Sequence, residues 1–140
     1  MIISKKTDYA LRVILELAVS KKKLRIKDIS KKQKIPFKFL QQLVLQLHSL
    51  GYIETYRGKN GGIVLVKETK DINLKDFILS FEGTLAPIGC VETKSCSEIQ
   101  SCVLYPIWVE VEDKIKSMLE KITIKDVVDK YLTSHSYYHI

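Results

Sequence analysis

Long apolar runs are missing from this chain: none of its 140 residues belongs to a stretch near the roughly 20 that a membrane-spanning helix needs. The start, Met1-Ile2-Ile3-Ser4-Lys5-Lys6, passes straight into a charged amphipathic pattern without the apolar core of a signal peptide. Both absences predict a cytoplasmic protein with no membrane partner, in a compartment where cysteines stay reduced. Catalytic equipment is equally scarce. There is no phosphate-binding glycine loop and no paired catalytic acid, and His48, His135 and His139 are all remote in sequence from the cysteines. A thiol enzyme would want a histidine beside its cysteine, so the expectation is a protein that is not an enzyme. Disorder is excluded by a hydrophobic content of 46% against 28% charged.

Arginine is rare too, with three in the chain against twenty lysines, and acidic residues are outnumbered, giving a net charge of +7. That charge is unevenly divided. Residues 1–70 carry 16 Lys/Arg and 5 Asp/Glu, whereas residues 71–140 carry 7 and 11. A basic half joined to a mildly acidic one suggests a polyanion reader coupled to a second element.

The apolar periodicity explains how the basic half is built. Tyr9, Ala10, Val13, Ile14, Leu17 and Ala18 recur at helical spacing from Ser4 to about Ser20, with Asp8 and Arg12 one turn apart on another face. A short second helix follows over about 26–33. Pro36 suits the first turn of a third, whose stripe is Leu40, Leu43, Val44, Leu47 and Leu50 and whose stop is Gly51. A short helix, a tight turn and a helix with a polar, exposed N-terminal face form a helix-turn-helix pattern. Two β-prone runs, 52–56 and 63–66, then flank Arg57-Gly58-Lys59-Asn60-Gly61-Gly62. A slim basic hairpin directly after a helix-turn-helix reads as a wing.

The acidic half opens with a helix capped by Asn73 and Asp76 and stopped by Gly83. Its next stretch, 84–105, holds all three cysteines, Cys90, Cys96 and Cys102, with five residues between neighbours. An odd number cannot close on itself as disulfides, and three thiolates from one loop predict a metal or iron–sulfur guest with a fourth ligand from elsewhere. Pro106 then opens a long helix whose stripe, Ile107, Val111, Ile115, Met118 and Ile122, is broadened by Trp108 and Leu119. Packing against a second copy of the same helix is the economical way to bury it. Thr123 and Asp126 cap a last helix through Leu132, and the Ser/Tyr/His tail 133–140 reads as poorly ordered. The expected fold class is therefore mainly α with a small β-hairpin wing: a winged helix-turn-helix domain over 1–83, a cysteine loop over 84–105, a dimerisation helix and terminal helix over 106–132, and a tail.

Several runs, in this order, resemble the Rrf-two family of winged helix-turn-helix regulators, above all its iron–sulfur branch of IscR- and NsrR-type proteins. They are Thr7-Asp8-Tyr9-Ala10-Leu11-Arg12, Phe39-Leu40-Gln41-Gln42-Leu43, the wing Arg57 to Gly62, Leu74-Lys75-Asp76 to Glu82-Gly83, and the cysteine trio. The resemblance implies a cytoplasmic homodimer that binds a palindromic operator in double-stranded DNA. It implies that Cys90, Cys96 and Cys102 hold iron. IscR-type proteins take their fourth ligand from a histidine three residues after the last cysteine, a position held here by Tyr105; NsrR-type proteins take an aspartate from the partner's first helix, and Asp8 stands there. A four-iron cluster on Cys90, Cys96, Cys102 and Asp8 is the expected cofactor, with a two-iron cluster as the alternative and Glu92, Glu98 and His48 as other ligands to weigh. The cluster would sense nitric oxide, oxygen or redox state, or iron–sulfur status, and the action is expected to be repression. A regulator of the same fold that uses the cysteines for zinc or as thiol switches is the rival. For DNA, Lys38, Gln41 and Gln42 are placed for base edges, Arg57 with Lys59 and Gly61 for the minor groove, and Phe39 either for a thymine methyl or for the domain's own core.

Overall fold

The computed structural model describes residues 3–136; within them the six expected helices and the two-stranded hairpin follow in the expected order, and a short seventh helix is added in the cysteine segment. Helix α1 (Lys5–Ser20) starts where the Ser4 side chain accepts from the Thr7 amide, and it ends at Lys21 in the left-handed region. Its positions 10, 13, 14, 17 and 18 are buried, the 3–4 spacing that places one face on the core. Helix α2 (Ile26–Gln33) contributes Ile29 to that core, and Ile35 in the following turn is also buried. Helix α3 (Phe37–Ser49) buries Leu40, Leu43, Val44 and Leu47. Pro36 falls at its N-cap, one position earlier than expected, where its missing N–H and fixed φ start the helix equally well. Gly51, at φ +82, closes the turn that follows α3.

Strands β1 (Ile53–Tyr56) and β2 (Gly62–Leu65) pair antiparallel, Ile53 opposite Leu65 and Tyr56 opposite Gly62. The hairpin does not stand alone. Leu24, just before α2, exchanges both backbone hydrogen bonds with Ile63 at 3.0 and 2.8 Å, so one residue of a third strand backs the wing. This approach requires Gly62, whose φ is +147 and where a Cβ would lie 2.6 Å from the Leu24 carbonyl oxygen.

A single 3-10 turn (Thr69–Asp71) leads into α4 (Leu74–Glu82), capped by Asn73, whose Oδ1 accepts from the Asp76 amide at 2.9 Å. Gly83 ends it at φ +78. The cysteine segment, expected as loop, contains a five-residue helix, α5 (Gly89–Thr93), pinned by buried Val91. Helix α6 (Tyr105–Glu120) packs on α4 and α5 yet has no fully buried residue, and Ile107 and Met118 are 50% and 60% exposed. Ile122 lies beyond its end, so the stripe is one residue shorter than expected.

Thr123 and Asp126 form a reciprocal cap, amide to side chain in both directions at 2.9 and 3.2 Å, as the spacing predicts. Helix α7 (Ile124–Ser136) runs four residues past Leu132 into the stretch expected to be tail; the rest of that tail lies outside the described residues. Rather than trailing away, α7 packs on α1 and places Ile124 and Val128 in the core of the head. Backbone bonds from Ile124 to Ile72 (2.8 Å) and from Leu74 to Ile122 (2.9 Å) fasten this return. Among the described residues no helix is long and apolar enough to cross a membrane.

Candidate nucleic-acid interface and cysteine segment

Helix α3 turns Leu40, Leu43 and Leu47 inward, and its 3.6-residue period therefore turns Lys38, Gln41 and Gln42 outward, where all three are exposed. Phe39 is half-buried. Its ring meets Tyr9 edge-on at 5.7 Å and 80°, beside the core. At the wing, Arg57 and Lys59 are exposed on the hairpin tip. Gly61 is explained by the turn itself, since a Cβ there would come within 2.7 Å of the Tyr56 carbonyl oxygen.

Between α3 and the wing runs a groove of about 520 Å³. Gln41 of α3 and Arg57 of the wing both line it, together with Arg25 and Lys27. Its lining joins these basic residues to a mostly apolar remainder. Phe37, Gln41 and Leu45 succeed each other at spacing four on its α3 wall, with Phe37 44% and Leu45 70% exposed, and Tyr56 stands exposed on the wing side. The sequence reading missed Arg25, Lys27, Phe37, Leu45 and Tyr56. For Leu45 the signal was present: it falls off the buried stripe of α3, a large apolar residue with no place in the core.

The cysteines are all free. Cys90, on α5, and Cys102, just before α6, are half-buried, while Cys96 is exposed. Among the described residues no three of His, Cys, Asp or Glu converge as they would around a metal ion. Asp8 lies on α1, where its carboxylate accepts from Arg12 Nε at 3.0 Å, each side chain 50% exposed. It opens onto a second groove, about 390 Å³, with Leu11, Leu15, Val19 and Tyr131 among its walls. Glu92 and Glu98 are exposed, and His48 sits 3.4 Å from Glu54 of β1. Three free thiols on one surface segment are a soft donor set that suits iron–sulfur or zinc.

The first turn of α1 is bound to the last turn of α4. Glu82 Oε1 accepts from the Thr7 hydroxyl at 2.6 Å and from the Ser4 amide at 2.8 Å. Burial opposes the charge on Glu82, but the bonds from Thr7 and Ser4, with Lys6 nearby, outweigh it and hold the carboxyl below its ordinary range. Asp8 directly follows one partner of this anchored junction, and the cysteine segment follows the other.

A helix-turn-helix with an exposed polar face, a braced hairpin beside it and a groove lined with basic residues between them define a winged helix-turn-helix DNA-binding regulator. Residues 3–130 match the Rrf2 family, described as iron-dependent transcriptional regulator, and the chain belongs to that family. It is 36% identical over 126 residues to the HTH-type transcriptional regulator NsrR of Shouchella clausii, spanning 87% of this chain and 85% of the relative. It is 25% identical over 131 residues to IscR of Photorhabdus laumondii, spanning 92% and 80%. Among solved structures it is similar to CymR, the global cysteine regulator of B. subtilis, with TM-score 0.75 and 27% identity over 93% of this chain and 98% of that one. IscR of T. potens gives TM-score 0.73 and 26% identity over 94% and 88%. These relatives are transcriptional regulators, not enzymes.

Proposed function

We propose that the protein is a cytoplasmic, homodimeric repressor whose affinity for a palindromic operator is set by an iron–sulfur cluster on Cys90, Cys96 and Cys102, completed by the partner subunit's Asp8. One observation carries this reading: three free thiols, evenly spaced, share one surface segment of a chain that belongs to the Rrf2 family. Tyr105 at the first position of α6 supplies no imidazole, which favours Asp8 and a four-iron cluster over a two-iron one. When bound, the cluster supplies a centre that reacts with nitric oxide and oxygen. The chain's own residues do the rest. Arg12 holds the Asp8 carboxylate whenever it is not lent to another copy, and Thr7, Ser4 and Glu82 keep the base of α1 fixed against the approach to the cysteine segment. A carboxylate is the more readily displaced ligand beside three thiolates, which suits a sensor.

On DNA, lysines of the basic half give phosphate attraction that fades with salt. Lys38, Gln41 and Gln42 meet base edges in the major groove, and Arg57 enters the minor groove with Lys59 beside it. The exposed stripe of α6 is the surface that joins two copies, and the divisions at 83 and 105 separate the DNA head from the cysteine segment and the dimer helix.

Anaerobic purification tests the cluster directly. A brown protein with iron and acid-labile sulfide, and a native mass matching two chains with a four-iron cluster in each, is the expected result. A colourless protein carrying zinc, or nothing, overturns it. The similarity to CymR, one of whose relatives from Staphylococcus aureus was also solved in an oxidised form, favours thiol switching as the second reading, and exposed Cys96 is the thiol it would use.

A further inference from the structure

Arg25 occupies a position where an arginine has no local purpose. It is the N-cap residue of α2, yet its side chain makes no capping bond; Ser, Thr, Asp or Asn there would satisfy an otherwise unpaired amide. Its guanidinium reaches instead to the wing, where Nη2 donates to the Lys59 carbonyl oxygen at 2.7 Å across 34 residues of sequence. The preceding residue, Leu24, is already paired with Ile63. The hairpin is therefore held along β2, one pair in from the turn, by a strand residue and at its tip by a side chain, both from the two-residue entry to α2. A free two-stranded hairpin is marginally ordered in water, and a mobile tip would have to be immobilised each time Arg57 bound DNA.

We infer that Arg25 is a positioning residue for specific DNA recognition: by holding the wing tip against the entry to α2, it fixes the offset between Arg57 and the base-facing side chains of α3. The inference rests on the proposed minor-groove role of Arg57. It goes beyond that role because it makes the discrimination between operators depend on a residue that touches the wing rather than a base. The competing account is plain: Arg25 is exposed and basic, and could contact a phosphate by itself.

The two accounts separate in a double-mutant cycle read at several salt concentrations, using a duplex selected by the wild-type protein from a random-sequence pool and an unrelated duplex of equal length. Serine at position 25 is a good helix N-cap, so Arg25→Ser removes the brace without weakening α2. In the wild-type background Arg25→Ser is expected to lower the ratio of selected to unrelated affinity about tenfold, as the loss of one well-placed contact does. In an Arg57→Ala background the same change should lower it less than about twofold, because the residue being positioned is gone. An unchanged ratio in the wild-type background, with both affinities lowered alike and the salt slope reduced by about one, makes Arg25 a phosphate contact and overturns the inference; so does an equal fall of the ratio in both backgrounds, which uncouples Arg25 from Arg57. Failure of the pool to yield any preferred duplex would count against DNA recognition itself, a separate result.

Discussion

Thr7 Oγ1 donates to Glu82 Oε1 at 2.6 Å across 75 residues of chain. Thr7 is fully buried, and the next residue is Asp8; Glu82 is followed by Gly83 and the cysteine segment. With the Ser4 amide bond to the same oxygen, this hydrogen bond ties the start of α1, beside Asp8, to the end of α4, beside the cysteine segment.

Glu82→Ala leaves the buried Thr7 hydroxyl and the Ser4 amide without their acceptor, and a loss on the order of 1–3 kcal/mol is expected, read as a drop of several degrees in the melting temperature. The carboxyl is depressed in the folded state, so its contribution is complete above the unfolded glutamate value, about 4.3. It is lost as pH falls through the lower folded value. Melting curves of wild type and Glu82→Gln should therefore converge in acid. A difference that persists at the lowest pH would remove the charge from this account.

Asp8→Ala separates stability from ligation. The Asp8–Arg12 pair is half exposed on both sides, and such pairs contribute less than about 1 kcal/mol. The metal-free protein should melt almost unchanged, while the visible spectrum of the iron-loaded protein changes and its operator affinity with it. An identical spectrum in the variant would exclude Asp8 as a ligand.

Arg57→Ala is expected to weaken operator binding by about 1–3 kcal/mol, measured by titration of a labelled duplex at fixed salt. A change of only a few tenths would take the wing out of recognition.

Ile107 and Met118 stand eleven positions apart on α6, which at 100° per residue returns them to one face three turns on. Both are half exposed or more. If α6 joins two copies as proposed, charging them together, Ile107→Glu with Met118→Glu, should leave helicity intact and convert a wild-type dimer to a monomer in sedimentation velocity. A variant that still sediments as two chains would move the interface elsewhere.

Local signals were legible to the residue. The reciprocal cap of Thr123 and Asp126, the Asn73 start and Gly83 stop of α4, and the Asp8–Arg12 pair all lie within four residues or one helix of each other, where short-range geometry decides. Helix α5 was not legible. Five residues carry too little periodicity to separate a single turn of helix from loop, and it forms because Val91 finds a buried place. Phe39 shows the intermediate case: its sequence position allowed DNA or core equally, and only the packing shows that its ring meets Tyr9 of another helix while part of it stays exposed.

Sequence alone determined the number and order of the main helices, the wing, the confinement of positive charge to residues 1–70 and the spacing of three unpaired thiols, because each depends on the period of the chain or on composition. Only the tertiary structure decided which distant segments meet. Ile124 and Val128 enter the head's core, Arg25 reaches the wing, and Glu82 holds Thr7. None of these has a local signature, since a buried contact between residues far apart is selected by the shape left when all the helices pack at once.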